Sequence, residues 1–159
     1  MRRPTFFLAV LVVFAGPVAR AADVEFLRVW PGWRAADSFE RISEYFGRGE
    51  PGGREIMLRT RPADRGGFYF LVRVKHDAAL HGGRFALHII RPDAPDAVTF
   101  NFPIAESKAR ETVYQLGLTG ADWPGGKTAA PVAWKLELLA ADGRVLADQK
   151  SFLWEQPAK

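Results

Sequence analysis

The stretch Phe68-Tyr-Phe-Leu-Val-Arg-Val-Lys75 decides the fold of this chain. Its even positions are Phe, Phe, Val and Val, and its odd positions are Tyr, Leu, Arg and Lys. A period of two is typical of a β-strand that turns one face to a core and the other toward solvent. The stretch therefore predicts a strand with an apolar face formed by its even-numbered side chains.

Runs of the same kind lie on both sides of it, and turn residues separate them about every ten to fifteen positions. The runs are Val24–Trp30, Glu55–Arg61, Arg84–Arg91, Val98–Phe102, Thr112–Thr119, Val132–Ala140 and Val145–Trp154. They predict an all-β fold: an antiparallel two-sheet sandwich, immunoglobulin-like or fibronectin-III-like, with about eight strands. The longest loop, 120–131, is expected either to cross between the sheets or to carry function.

One short helix is expected near the N-terminus, over Ser38–Phe46. Asp37 and Glu40 form a capping-box pattern, and Gly47 is suited to end the helix. Phe39, Ile42 and Phe46 form a narrow apolar stripe that should dock on the sheet. Before the helix, Trp30-Pro31-Gly32 is expected to end the first strand, because proline cannot donate to a β-ladder.

Two strand pairings follow from neighbouring runs. Glu55–Arg61 and Phe68–Lys75 are expected to form an antiparallel hairpin in which Arg61 faces Tyr69. Asp142-Gly143 predicts a second hairpin with a two-residue turn.

Counting outward from that turn places Glu137 opposite Asp148 and Lys135 opposite Lys150, which is electrostatically unfavourable. A β-bulge between Asp148 and Ser151 would relieve the conflict. The same bulge would turn four side chains toward the core, namely Val145, Ala147, Phe152 and Trp154.

The N-terminus has the features of an export signal. Arg2-Arg3 precedes the apolar core Phe6–Ala15, and Ala19-Arg20-Ala21 is an acceptable cleavage site. An apolar core of about ten residues is too short for a bilayer span of roughly twenty. We expect cleavage after Ala21, an exported domain over 22–159 in the periplasm or outside the cell, and no transmembrane segment in it.

Charge and composition exclude several classes of function. Removing 1–21 takes away Arg2, Arg3 and Arg20 and no acid, leaving 19 basic and 18 acidic side chains, a net charge of +1. Overall charge therefore gives no support for nucleic-acid binding. Apolar residues make up 48% of the chain, which excludes a disordered composition, and the absence of cysteine excludes disulfides, thiol catalysis and a lipoprotein anchor.

Two groups of side chains are candidate ligand-binding residues. Trp30, Trp33 and Trp123 could form an aromatic platform for sugar rings or a partner's apolar side chains. Alternatively, each Trp-Pro-Gly turn covers an end of the sandwich with its indole. The second group is basic, Arg59, Arg61 and Arg73, and could attract anionic polysaccharide or lipid head groups. Its alternative is an ordinary solvated face.

Catalytic and metal-binding patterns are missing from the sequence. The three histidines, His76, His81 and His88, match no standard metal-ligand spacing and are expected to be packed or solvated. No Gly-x-Ser-x-Gly, His-Glu-x-x-His or phosphate-binding glycine loop occurs. We therefore predict no enzyme, no metal site and no cofactor.

The functional hypothesis is an exported β-sandwich that serves as a binding or accessory module of the cell envelope. Its ligand would be a protein partner or a glycan. A carbohydrate-binding domain with a tryptophan platform is one alternative, and a minor enzyme or metal-binding protein is the other. Exposed coplanar tryptophans would favour a glycan, whereas polar groups converging in a deep pocket would favour an enzyme.

Overall fold

The computed structural model describes residues 24–39, 55–107 and 110–155, and these are mostly β. The strands are β1 (Val24–Arg34), β2 (Glu55–Arg59), β3 (Gly67–His76), β4 (Leu80–His81), β5 (Arg84–Ile90), β6 (Ala97–Pro103), β7 (Glu106–Ser107), β8 (Arg110–Thr119), β9 (Ala133–Leu139) and β10 (Val145–Lys150). Two 3₁₀ turns cover Gly120–Asp122 and Phe152–Glu155.

The strands form two four-stranded sheets and one small ribbon. The first sheet has the order β1-β3-β8-β2, the second has β10-β9-β5-β6, and the ribbon pairs β4 with β7. The inner faces share one core, which includes Phe70, Val72, Phe85, Leu87, Tyr114, Leu116, Leu136 and Leu138. The predicted β-rich fold is thus confirmed, and the arrangement is sandwich-like.

The alternating stretch forms the central strand β3. All four of its even-numbered apolar side chains, Phe68, Phe70, Val72 and Val74, are buried in the core. Burying such a side chain stabilises the fold by about 1.5–3 kcal/mol relative to leaving it in water. The strand is held on both sides, because β3 pairs antiparallel with β1 and with β8.

The predicted hairpin between Glu55–Arg61 and Phe68–Lys75 is wrong. β2 pairs parallel with β8, from Glu55 opposite Val113 to Arg59 opposite Gly117, and β8 lies between β2 and β3. β8 is mostly buried on both faces and suits the interior of the sheet, whereas the charged ends of β2 suit an edge. Strands that follow one another in sequence are neighbours only about two-thirds of the time.

The first strand does not end at Trp30-Pro31-Gly32, as the sequence suggested, but continues to Arg34. β1 pairs only with β3 and lies at the edge of its sheet. An edge strand tolerates proline, because one side of its backbone has no ladder to maintain.

The long loop after β8 has the predicted crossing path. β8 belongs to the first sheet and β9 to the second, so residues 120–132 carry the chain from one sheet to the other. The loop begins with the 3₁₀ turn Gly120–Asp122 and places Trp123 against the end of the core.

The C-terminal hairpin differs from the prediction in two ways that cancel. Its loop has three residues, 141–143, because the Ala140 amide donates to the Arg144 carbonyl and Gly143 adopts φ +84°. A bulge lies between Val145 and Ala147 rather than after Asp148. The longer loop shifts the register by one residue, and the bulge shifts it back by one residue.

Glu137 therefore faces Asp148, and Lys135 faces Lys150, as counted from the sequence. The conflict is relieved within β9 and its neighbour β5, because Lys135 and His88 both contact the Glu137 carboxylate. Two of the four predicted core positions, Val145 and Phe152, are wrong, whereas Ala147 and Trp154 are partly buried. Val145 is exposed, and β10 ends at Lys150, so that Phe152 lies in a 3₁₀ turn and is 77% exposed.

The N-terminal predictions fall mostly outside the described residues. The signal segment 1–21 lies there, and so does the helix Ser38–Phe46 except for Ser38 and Phe39. The ring of Phe39 packs against Tyr69 with 5.1 Å between centroids. Across the described ranges, none of the helices has the length and apolarity needed to cross a membrane.

Candidate functional site

The outer face of the first sheet brings three of the six predicted site residues onto one surface. The strand registers define three rows of side chains across the four strands. The rows are Gly32–Tyr69–Gly117–Arg59, then Trp30–Leu71–Gln115–Met57, then Arg28–Arg73–Val113–Glu55. Trp30, Arg59 and Arg73 thus share this face, and Trp33 lies beside it on β1.

Tyr69 organises the first row. Its ring lies over Gly117, where a Cβ atom would come within 2.4 Å of Tyr69 Cε1, so only glycine leaves room for it. The hydroxyl donates to the Arg65 carbonyl at 2.6 Å and accepts from Arg59 Nε at 2.8 Å. Glycine at 117 therefore lets a tyrosine on β3 reach an arginine on β2 across the intervening strand.

The environment of Tyr69 opposes its ionisation. The side chain is only 1% exposed, and burial raises the pKa of the phenol above its ordinary value. The hydrogen bond from Arg59 and the charges of Arg59 and Arg34 offset part of that rise. Arg59 also lies 5.1 Å from the centre of the Phe39 ring, so this arginine is held by two aromatic side chains.

Trp30 is the exposed aromatic residue of the face. It is 47% exposed, and the guanidinium carbon of Arg28 lies 3.6 Å from the centre of its ring. Arg28 and Trp30 are two apart along β1 and therefore point to the same side. The cation covers one face of the indole and fixes its orientation.

A groove of about 520 Å³ opens beside Trp30. Its walls come from the end of β1, the turn at 35–38 and β3, and they include Trp30, Trp33, Arg34, Ser38, Tyr69 and Leu71. Trp33 is half-buried and packs against the core, since it pairs with Phe68 on the inner side of β3. The groove therefore joins two of the three predicted tryptophans.

The third predicted tryptophan, Trp123, belongs to the core. It is 4% exposed, packs against Phe68 with 4.7 Å between ring centroids, and donates from Nε1 to the Gly126 carbonyl at 3.1 Å. Its indole is thus packed and its polar atom satisfied. A surface platform of Trp30, Trp33 and Trp123 does not form. Trp123 instead fits the alternative in which the indole of the Trp-Pro-Gly turn covers an end of the sandwich.

The three predicted arginines have separate partners. Arg59 bonds Tyr69, Arg61 bonds Asp122 Oδ2 at 3.2 Å, and Arg73 forms a salt bridge with Glu111. Arg61 lies beyond the end of β2 and is not on the strand face. The structure therefore does not assemble Arg59, Arg61 and Arg73 into one basic strip.

Sequence reasoning missed a polar cluster on the outer face of the second sheet. His88 Nδ1 lies 2.8 Å from Thr99 Oγ1, and His88 Nε2 lies 3.0 Å from Glu137 Oε2. Lys135 Nζ contacts the other Glu137 oxygen at 2.6 Å, and this hydrogen bond is the main cause that lowers the pKa of Glu137, with His88 adding to it.

Hydroxyl, imidazole and carboxylate follow one another as in a hydrolytic triad, but the cluster lies on an open sheet face with Thr99 exposed. Electrostatic stabilisation of a reacting oxyanion needs a water-excluded site. We interpret the cluster as a cross-strand hydrogen-bond network. The network could be predicted only from the strand register, which places Thr99 opposite His88.

The other two histidines lie elsewhere. His76 is fully buried, with Nδ1 2.9 Å from the Ala78 carbonyl and Nε2 3.2 Å from Ser107 Oγ. His81 is exposed and lies 3.9 Å from Glu106. In the ranges that the structure describes, no three His, Asp or Glu side chains converge as a metal site would require.

A second buried hydroxyl lies near the His76–Ser107 pair. Burial raises the pKa of Tyr114, and the nearby Ser107 hydroxyl offsets part of the rise. The phenol oxygen nevertheless makes no hydrogen bond of normal geometry. This end of the core is therefore polar but closed to solvent, which suits a structural network and not a binding site.

Comparisons with known proteins gave no match: no protein-family model matches the chain, and no curated protein matches it. The functional assignment consequently depends on the outer face of the first sheet. That face combines exposed Trp30 and Met57 with Arg28, Arg73 and the locked pair of Tyr69 and Arg59.

Proposed function

We propose that this chain is an exported binding module of the cell envelope that docks a protein partner on the outer face of the first sheet. We call this surface the Trp30 face and define it by Arg28, Trp30, Met57 and Leu71. The observation that carries the proposal is Trp30 itself, 47% exposed, stacked on Arg28 and placed beside a groove of about 520 Å³.

The composition of the Trp30 face supports a protein partner. Trp, Tyr, Met and Arg are the residue types enriched at protein interfaces, and Trp and Arg are the commonest hot-spot residues. Arg28 holds the indole at 3.6 Å before any ligand arrives. Binding then costs less side-chain entropy than it would for a freely rotating tryptophan.

We also propose that the sandwich is immunoglobulin-like, and the strand order supports this. β1, β3 and β8 occupy the positions of strands A, B and E, and β5, β9 and β10 occupy those of C, F and G. β2 lies where strand D would lie, but it runs parallel to its neighbour β8. Domains with this type of architecture commonly serve as binding modules at cell surfaces, which is an argument by analogy.

Export is the second part of the proposal and depends on the N-terminal sequence. Residues 1–21 combine paired arginines, a short apolar core and an Ala-x-Ala site. N-terminal sequencing of the protein from cell-envelope fractions should give Ala22 as the first residue. A form that still begins at Met1 would contradict both the location and the domain bounds.

A glycan is the second candidate ligand, because Trp30 and Trp33 both line the groove. A sugar ring would stack on the indole face that Arg28 leaves open. Titration of the exported form with soluble envelope polysaccharides, followed by tryptophan fluorescence, distinguishes the two candidates. Saturable quenching that disappears in Trp30→Ala would favour a glycan, whereas no response would leave the protein partner as the ligand.

The direct test compares three forms of the exported chain as bait for solubilised envelope proteins: wild type, Trp30→Ala and Phe152→Ala. Phe152 is the matched control, since it is an exposed aromatic residue in the 3₁₀ turn that follows β10 of the second sheet. A hot-spot tryptophan typically contributes about 2 kcal/mol, so Trp30→Ala should weaken retention of the partner by about tenfold or more. Equal retention by all three baits would reject the Trp30 face as the docking surface.

A further inference from the structure

The four edges of the two sheets differ in how they are protected against pairing with another strand. Unpaired backbone groups at an edge are a template for a further strand, and proteins block them with bulges, prolines, charges or short lengths. β1 has a bulge at Leu27 and a proline at Pro31. β10 has a bulge at Leu146 and the charged residues Asp148 and Lys150.

β2 is short, with five residues from Glu55 to Arg59, and both of these end residues are charged. β6 has none of these protections in its interior. It pairs with β5 over seven residues without a shift, contains no charged residue, and has its one proline at the last position, Pro103. Among the described edges, β6 is thus the one that is open to strand addition.

The side chains of β6 also show that its edge is incompletely covered. Val98 and Phe100 point to the inner side of the sheet, opposite Ile89 and Leu87, yet both remain partly exposed. The segments on both sides of β6, 91–96 and 104–107, are described and do not pair with its free edge. An additional strand would cover these apolar side chains.

We infer that a second copy of this chain pairs with the β6 edge, antiparallel and centred on Phe100. This two-fold arrangement places Val98 opposite Phe102 and Phe100 opposite itself on the inner side. On the outer side it places Thr99 opposite Asn101, a hydroxyl beside an amide. Every pair then matches apolar with apolar or neutral polar with neutral polar, and no like charges meet.

This interface is independent of the proposed function. Trp30 lies on β1, which borders β10, whereas β6 is the opposite edge of the second sheet. The dimer would extend the second sheet across the two-fold axis and leave the Trp30 face of each copy open. Failure of either proposal therefore leaves the other intact.

The first test is the mass of the exported form in solution, measured by sedimentation over a wide range of concentration. Wild type should convert from monomer to dimer as concentration rises. The double variant Thr99→Lys/Asn101→Lys places like charges opposite one another and should remain monomeric. Val145→Lys, a single charge at an exposed position of β10, the opposite edge of the second sheet, is the control and should dimerise like wild type.

Thr99 and Asn101 are both exposed, so the double variant should fold, and a thermal melt checks this. A wild type that stays monomeric throughout, or a double variant that still dimerises, would overturn the inference. Binding of another protein's strand to β6, with wild type monomeric alone, would overturn it as well.

The second test fixes the register. The chain has no cysteine, so Thr99→Cys and Asn101→Cys each introduce a single thiol. Directly opposite residues have Cβ atoms about 4.5–5.5 Å apart, whereas diagonal neighbours are farther apart. A mixture of the two variants should therefore form a disulfide-linked dimer faster than either variant alone. Equal rates would contradict pairing centred on Phe100.

Discussion

Trp30 and Trp123 begin the same tripeptide, Trp-Pro-Gly, but their indoles lie in opposite environments. Trp30 is 47% exposed on an edge strand, whereas Trp123 is 4% exposed against Phe68 at the end of the core. The difference comes from the elements around them. β1 continues through its proline and turns Trp30 to the outer side, opposite Leu71, while a 3₁₀ turn directs Trp123 inward.

The comparison teaches that the tripeptide alone does not determine what its tryptophan does. The partners do: Arg28, a cation, lies over the Trp30 ring, whereas the Trp123 ring packs against Phe68 and its Nε1 donates a hydrogen bond to a backbone carbonyl. An indole with a charged neighbour and a free side is available to a ligand. An indole whose ring and N–H are both satisfied internally contributes to folding.

The largest expected effect is the difference in stability between alanine variants of the two tryptophans. Trp123→Ala should lower the free energy of unfolding by about 3–5 kcal/mol, because it removes a large buried side chain and leaves a cavity. Trp30→Ala should lower it by about 1 kcal/mol or less, as is usual for surface positions. Denaturant unfolding of both variants measures the difference. Equal losses would show that the two indoles are packed alike.

The glycines of the two tripeptides extend the comparison. A Cβ at Gly125 would lie 2.5 Å from the Ala129 Cβ, whereas a Cβ at Gly32 would meet nothing within 4 Å. Gly125→Ala should therefore cost about 1–3 kcal/mol through overpacking. Gly32→Ala should be neutral or slightly stabilising, since it reduces the entropy of the unfolded chain. A larger loss in the Gly32 variant would contradict the described path of β1.

A smaller effect is expected at Tyr69, which supports the face that carries Trp30. Tyr69→Phe removes the hydrogen bonds to Arg59 and Arg65 and should cost about 0.5–1.5 kcal/mol at neutral pH. Burial raises the pKa of Tyr69, so the folded state disfavours its ionised form.

The contribution of Tyr69 to stability should accordingly be present below the ordinary tyrosine pKa of about 10 and be lost as pH rises through the higher folded value. Unfolding measured from neutral to alkaline pH should show a shallower decline in Tyr69→Phe than in wild type. Tyr114 remains in both proteins, and burial raises its pKa as well, so some decline should persist. Identical slopes would contradict the buried position of Tyr69.

The features that depend on local pattern could be predicted from the sequence. The alternation in Phe68–Lys75 predicted the central strand, and the turn-rich segment 120–131 predicted a crossing between sheets. The position of β2 could not be predicted, because it depends on a parallel pairing with β8 more than fifty residues away in the chain. The packing of Tyr69 over Gly117 depends on the same non-local contact.

The candidate site was predictable only in part. Aromatic and basic residues could be identified, but their partners could not, since Arg28 stacks on Trp30 through strand geometry while Arg61 and Arg73 pair with acids elsewhere. The His88–Thr99–Glu137 cluster joins three strands and was likewise invisible without the registers. The side-chain contacts between strands could thus not be predicted from the sequence alone.

Hydroxyl-radical footprinting of residues 22–159, alone and mixed with solubilised envelope proteins, tests the central claim most directly. The reference is Phe152, an exposed residue in the 3₁₀ turn that follows β10 of the second sheet. The account predicts that Trp30 is oxidised in the isolated chain and protected in the mixture, that Trp123 is unreactive in both, and that Phe152 is reactive in both. Oxidation of Trp123 in the folded chain, or equal oxidation of Trp30 relative to Phe152 with and without the envelope proteins, would contradict it.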